Sequence, residues 1–195
     1  MKIFLIFGLL LACTVCVAET LSLSISDATQ HLTAGQAHYI DENYEEALEL
    51  LEPAHALLDS LDTTYYLALT QYHLQHYSEA GLLLNKAIEG KPDDAALRDA
   101  LAETLLRLEQ PEAALIHAQQ LIKLDDGPSA RFLLGRIQAA LGQTVVAIGT
   151  LEHDIDLDDP PLYQAVSIEL LTLSKAHHQF REAHSLVLGS SERLP

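Results

Sequence analysis

The sequence predicts an all-α protein, an α-solenoid of about five stacked helix-turn-helix units, and three observations carry that expectation. From about residue 28 onward, apolar residues recur with helical rather than alternating spacing. An alanine returns at Ala47, Ala80, Ala114, Ala147 and Ala183, in steps of 33, 34, 33 and 36 residues. Turn formers interrupt the helical stretches at Asp41-Glu42-Asn43, Lys91-Pro92-Asp93-Asp94, Asp125-Asp126-Gly127-Pro128 and Asp156-Leu157-Asp158-Asp159-Pro160-Pro161. A unit of this size cannot bury its apolar face alone, so neighbouring units must stack.

The first 18 residues read as an export signal. Lys2 supplies a positive charge, and the apolar run from Ile3 to Ala12 is interrupted only by Gly8. That run is shorter than the roughly 20 residues a membrane-spanning helix needs. Two processing routes are open. Cys16-Val17-Ala18 offers small residues before a cleavage that would leave Glu19 as the first residue. Leu10-Leu11-Ala12-Cys13 resembles a lipoprotein signal in which Cys13 would be lipidated, although Leu11 is uncommon at its position. Cys13-x-x-Cys16 has the spacing of a redox pair, but such a pair needs a strand-to-helix setting that lowers one thiol's pKa, and a signal segment offers none. Residues 19–27 form a short N-terminal segment.

The units follow at 28–60, 61–94, 95–127, 128–161 and 162–190, with a tail at 191–195. Their expected helix pairs are 28–41 and 44–58, 61–75 and 78–90, 95–109 and 111–124, 128–141 and 144–155, and 161–177 and 180–189. Pro111 stands near the first position of its helix, where the missing N–H costs nothing. Small residues at fixed places let the two helices of a hairpin approach, and large apolar residues fill the seam. No separate polar capping helix follows the fifth unit.

A two-helix period near 34 resembles the tetratricopeptide repeat family. Ala47, Ala80, Ala114, Ala147 and Ala183 match the family's second-helix alanine. Tyr44, Tyr77 and Phe180 match the aromatic three residues earlier, while Pro111 and Thr144 depart from it. Leu51, Leu84, Leu151 and Val187 match the large apolar position four residues later, where Ala118 is small. Gly35 with His38, and Gly135 with Gln138, partly meet the first-helix pattern; the closing proline is clear at Pro92, and the opening Trp is absent because the chain has no Trp. The resemblance implies a right-handed superhelix whose first helices line a concave groove that takes peptides or partner domains. Carried onto this chain, the groove positions are Leu32, Gln36, Tyr39 and Ile40; Tyr65, Leu69, Tyr72 and His73; Asp99, Glu103, Leu106 and Arg107; Phe132 and Arg136; and Ile168, Thr172 and Lys175. Chaperone-binding members grip a C-terminal carboxylate with Lys and Asn. The two asparagines here, Asn43 and Asn85, lie off that face, so this clamp is not expected.

Composition narrows the function. Against 28 acidic residues the chain has 11 basic ones, a formal charge of −17, which repels phosphate backbones and argues against nucleic-acid partners. Ten histidines raise a metal-responsive alternative: His31 and His38 share a helix face, His73 and His76 are three apart, and His177, His178 and His184 span the last unit. No His-Glu-x-x-His or paired-cysteine set accompanies them. Asp154-x-Asp156-x-Asp158-Asp159 begins like a calcium loop, but Asp159 replaces the required glycine and Ala165 the closing glutamate. No nucleophile elbow, phosphate loop or dinucleotide fingerprint occurs, so neither catalysis nor a cofactor is expected. The expectation is a non-enzymatic, exported, periplasmic scaffold. It would bind a protein or peptide of the bacterial cell envelope, in the assembly of a pilus, secretion, polysaccharide-export or outer-membrane complex. It would touch a membrane only through a lipid anchor, as an outer-membrane lipoprotein.

Overall fold

The computed structural model describes residues 24–152 and 160–191, and every described element is helical. In chain order these are α1 (24–40), α2 (Tyr44–Leu58), α3 (Leu61–His73), α4 (Tyr77–Gly90), α5 (Ala95–Arg107), α6 (Pro111–Leu124), α7 (Pro128–Ala140), α8 (Thr144–Glu152) and α9 (Pro160–Ser191). The expected export signal with Cys13 and Cys16, the calcium-like run 154–159 and the tail beyond residue 191 lie outside the described residues. The chain divides into two compact units, residues 1–89 and 90–195.

One turn geometry joins the helices of four hairpins. Glu42, Gln75, Glu109 and Gly142 adopt left-handed backbone angles, with φ of 61°, 65°, 58° and 73°. The residue after each donates its N–H five residues back: Asn43 to His38 O, His76 to Gln71 O, Gln110 to Leu105 O and Gln143 to Gln138 O, at 2.8–2.9 Å. This closing bond satisfies a carbonyl that the helix end would otherwise leave open. The left-handed positions keep the spacing of the repeat alanines, each five residues before Ala47, Ala80, Ala114 or Ala147.

The recurring alanines are the tightest seats in both cores, for Ala47, Ala80, Ala114 and Ala147 are fully buried. Twelve residues before each of them stands a small residue, Gly35, Ala68, Ala102 or Gly135, and four after it stands Leu51, Leu84, Ala118 or Leu151. The two positions face each other across the hairpin. A Cβ added to Gly35 would lie 2.7 Å from Leu51 Cγ, and one on Gly135 would lie 2.7 Å from Leu151 Cγ. Within unit 1 the core of Ala47, Leu51 and Leu67 is packed by Leu32, Tyr39, Leu48, Tyr66 and Leu83. Within unit 2, α5 packs on α6, α6 on α7, α7 on α8 and α8 on α9. The same unit buries Arg98, whose guanidinium donates to Gln120 Oε1 across the α5–α6 hairpin and to Pro92 O in the turn before α5.

Two expectations are corrected. Helix α1 is already formed at residue 24, so residues 24–27 are helix rather than a lead-in segment; the Thr29 hydroxyl donates to Ile25 O within it. The expected fifth hairpin, 161–177 with 180–189, is instead one continuous helix of 32 residues, α9. His178 falls at the register position of Glu42, Gln75, Glu109 and Gly142, yet it remains helical. A left-handed non-glycine residue costs about 1–2 kcal/mol, and elsewhere close helix packing offsets it. In α9 the matching small seat is occupied by Leu171, so that compensation is missing.

Candidate functional site

The strongest candidate surface is an aromatic network in unit 1, which arises from the repeat itself. Tyr39 on α1 and Tyr72 on α3 are 33 residues apart, and Tyr44 and Tyr77 open α2 and α4 at the same spacing. Each left-handed turn brings the end of one helix beside the start of the next. Tyr39 meets Tyr44 at 5.7 Å between ring centroids, and Tyr72 meets Tyr77 at 5.4 Å. The α3 pair Tyr65–Tyr66 joins through an edge-to-face contact of Tyr66 with Tyr39 at 5.7 Å. His73 closes the set. Its ring stacks on Tyr44 at 4.4 Å with an interplanar angle of 3°, meets Tyr39 and Tyr72 edge-on, and has Nε2 3.4 Å from the Tyr39 hydroxyl.

Six of the seven tyrosines and one histidine therefore form a single connected surface. Such ring pairs add about 0.5–1.5 kcal/mol each beyond area burial, which holds the rings in fixed orientations. Burial, reinforced by Tyr44, Tyr65 and Tyr66, pushes the Tyr39 pKa up to about 12, so its hydroxyl stays protonated. Partial desolvation of the ring, in a residue that is exposed as a whole, also lowers the His73 pKa from its ordinary 6.5, against an opposing pull from Glu42. A neutral imidazole is thus the form that stacks on Tyr44.

The expected groove residues separate into distinct roles. Tyr65, Tyr72 and His73 join the network with ring surface left over, Tyr65 and Tyr72 being half-buried and His73 exposed. Gln36 and Leu69 are half-buried and Ile40 is exposed. Leu32 and Tyr39 pack against the core of Ala47, Leu51 and Leu67, so they support the surface as much as they form it. Reading the sequence for groove positions misses Tyr44, Tyr66 and Tyr77. The signal for Tyr44 and Tyr77 was their shared repeat position beside the turn.

In unit 2 the expected residues form an ion-paired cluster. Arg136 Nη1 donates to Glu103 Oε2 at 2.6 Å, and Arg107 Nε donates to Glu103 Oε1 at 3.2 Å. The Arg136 guanidinium also lies 5.7 Å from the Phe132 ring centroid. Glu103 thus ties α5 to α7, and its charge is engaged within the chain. Asp99, exposed as a residue, has its pKa raised by burial of the carboxyl and then by Glu103. Ile168 and Thr172 are exposed on α9, and Lys175 lies beyond them.

His76 and His55 make local side-chain contacts. His76 Nδ1 lies 2.7 Å from Gln71 Oε1, and His55 Nδ1 lies 3.2 Å from Thr63 Oγ1. Among the described residues no three His, Cys, Asp or Glu side chains converge as a metal site, and no helix there is long and apolar enough to cross a membrane. Asn43 forms a turn and Asn85 donates to Gly81 O, so neither is arranged as a carboxylate clamp.

Comparison with known proteins places the architecture. No family model matches the sequence, and no curated protein matches it. Solved structures do. TTC0263, a thermophilic TPR protein of Thermus thermophilus, superposes with a TM-score of 0.65 at 21% identity, over 86% of this chain and 92% of that one. YrrB, described as a TPR protein with an unusual peptide-binding site, gives 0.61 at 19% identity over 90% and 97%. The first TPR of Spaghetti (RPAP3), bound to the HSP90 peptide SRMEEVD, gives 0.56 at 16% identity over 60% and 94%. The chain has the tetratricopeptide-repeat fold.

Proposed function

We propose that this chain is a non-enzymatic protein-binding scaffold that holds an extended or helical segment of a partner on the tyrosine surface of unit 1. The observation that carries this reading is the network of six tyrosines and His73, with part of its ring surface exposed. Tyrosine supplies large contact area at small cost in side-chain entropy, and aromatics dominate the energetic centres of interfaces. Two structural neighbours support the class, since YrrB carries a peptide-binding site and the Spaghetti repeat holds a peptide. The ligand differs in chemistry from the acidic SRMEEVD. This chain lacks the Lys/Asn clamp and carries −17 overall, so a neutral or basic segment suits it.

The apolar run behind Lys2 supports export, so the partner is sought in the cell envelope, where assembly of a surface or secretion complex is the role proposed. Mass spectrometry of the mature N-terminus distinguishes cleavage before Glu19 from lipidation at Cys13. The groove is tested by Tyr65→Ala with Tyr72→Ala, which spares Tyr39 and its core contacts. Capture of the envelope partner should fall at least tenfold while far-UV circular dichroism is unchanged. Unchanged capture would place binding on another face.

A further inference from the structure

The end of unit 2 departs from the pattern that the rest of the chain repeats. In register with Ala183, Val166 of α9 holds the place of Thr63, Leu97 and Ala130, and like them it is buried. The first half of α9 is therefore seated as the first helix of a fifth hairpin. Leu171 then stands at the small-residue seat of Gly35, Ala68, Ala102 and Gly135. Ala68 and Ala102 are completely buried, whereas Leu171 is 72% exposed, and Ile168, one turn earlier on the same helix, is 60% exposed. Beside them a groove of ≈ 530 Å³ opens between the start of α8 and the middle of α9, lined by Val145, Val146, Ala176 and His177 among others. Val145 and Val146 are exposed where unit 1 has Glu45, Glu46, Ser78 and Glu79.

The segment that should cover this face is encoded in the chain. Phe180, Ala183 and Val187 carry the second-helix pattern of the other hairpins, but the continuous α9, about 48 Å long at 1.5 Å per residue, takes them away from it. We propose that α9 is a dimerisation arm: two copies pair their α9 helices antiparallel about a two-fold axis near residue 179, residues 180–190 of each covering Ile168 and Leu171 of the other. The register follows from the closed hairpins. Gly35 faces Leu51 and Gly135 faces Leu151 about centres at residues 43 and 143; the same rule pairs Leu171 with position 187 about residue 179.

Three features favour a second copy as the occupant. A two-fold exchange gives each exposed face the segment its own chain withholds, and it closes at two subunits. Helices freed from a three-residue turn can separate to accommodate Leu171, because interaxial distance follows the side chains at the contact. The arm is also electrically suited to self-association. It carries Glu169, Lys175, Arg181 and Glu182, a net charge of zero in a chain of −17, and the antiparallel register sets Lys175 within one position of Glu182 of the second copy.

The test is a full-length Leu171→Cys/Val187→Cys variant in a Cys13→Ser/Cys16→Ser background, oxidised and run under non-reducing conditions. The expected product is a disulfide-linked dimer, with light scattering of the parent chain giving twice the mass of one chain. A disulfide within a single chain would show that the fifth hairpin closes on itself and would overturn the proposal. Absence of any disulfide with a monomeric mass would overturn it too, leaving the face to some other partner. Leu171→Glu, at a site exposed in the single chain, should give a monomer of unchanged helicity; persistence of the dimer would also count against the arm. Capture at the tyrosine surface is a separate readout, so either reading can fail without the other.

Discussion

The sharpest test of how the hairpins pack is Gly135→Ala. Gly135 lies on α7, and a Cβ there would sit 2.7 Å from both Cγ and Cδ2 of Leu151, a fully buried side chain of α8. Relaxed carbon–carbon contacts are about 3.5–4.0 Å, so about 1 Å of room must be made against a branch point that cannot simply swing away. Overpacking of this kind costs about 1–3 kcal/mol. Replacing a mid-helix glycine by alanine returns about 1 kcal/mol of helix propensity. The net is a loss of about 0–2 kcal/mol. Leu151→Ala alone should cost about 2–5 kcal/mol through lost burial and a cavity. In that background the alanine at 135 meets no obstruction and should stabilise by about 1 kcal/mol. The double-mutant cycle, read from urea unfolding by far-UV circular dichroism, therefore predicts a coupling of about 1–3 kcal/mol. The reasoning is refuted if Gly135→Ala stabilises the chain by the same amount in both backgrounds.

Two further predictions concern the turns and the pH response. Gln75→Gly should stabilise unit 1 by about 0.5–1 kcal/mol by relieving a left-handed non-glycine residue, and Gly142→Ala should destabilise unit 2 by a similar amount; urea midpoints check both, and equal midpoints would contradict the assigned geometry. The His117 pKa is lowered from 6.5 by burial and then by Arg98, and its Nδ1 is buried with no protein hydrogen-bond partner. The folded state thus binds a proton less readily than the unfolded chain. Its contribution is complete above pH 6.5 and is lost as pH falls through the lowered folded value, with His73 acting in the same direction. His117→Gln should flatten the fall of the urea midpoint below pH 6.5, and an unchanged slope would assign that dependence elsewhere.

Much of the fold was legible because the alanines that set its period are the residues at which helices touch. A small side chain under a facing helix cannot be exchanged freely, so Ala47, Ala80, Ala114 and Ala147 mark the seams in the sequence as they do in the structure. The fifth unit departs from the expected hairpin for a related reason. Phe180, Ala183 and Val187 satisfy the second-helix pattern, and the pattern does not weigh what stands opposite; Leu171 in the small seat removes the close packing that offsets a left-handed turn. The tyrosine surface was half legible. Tyr39 and Tyr72 declare themselves by recurrence, whereas the stacking of His73 on Tyr44 depends on a turn that brings two helix ends together, which spacing alone does not display. The charges of Glu103, Arg107 and Arg136 read as groove-lining but engage one another, since all three sit where adjacent first helices meet.

The central claim is that partners are held on the tyrosine surface of unit 1. Site-specific photo-crosslinking in the native envelope tests it most directly, with the reactive residue placed at Tyr72 in one variant and at Leu82, exposed on α4, in another. A discrete crosslinked partner from position 72 and none from position 82 is the predicted result. Crosslinks to the same partner from position 82 alone would contradict it.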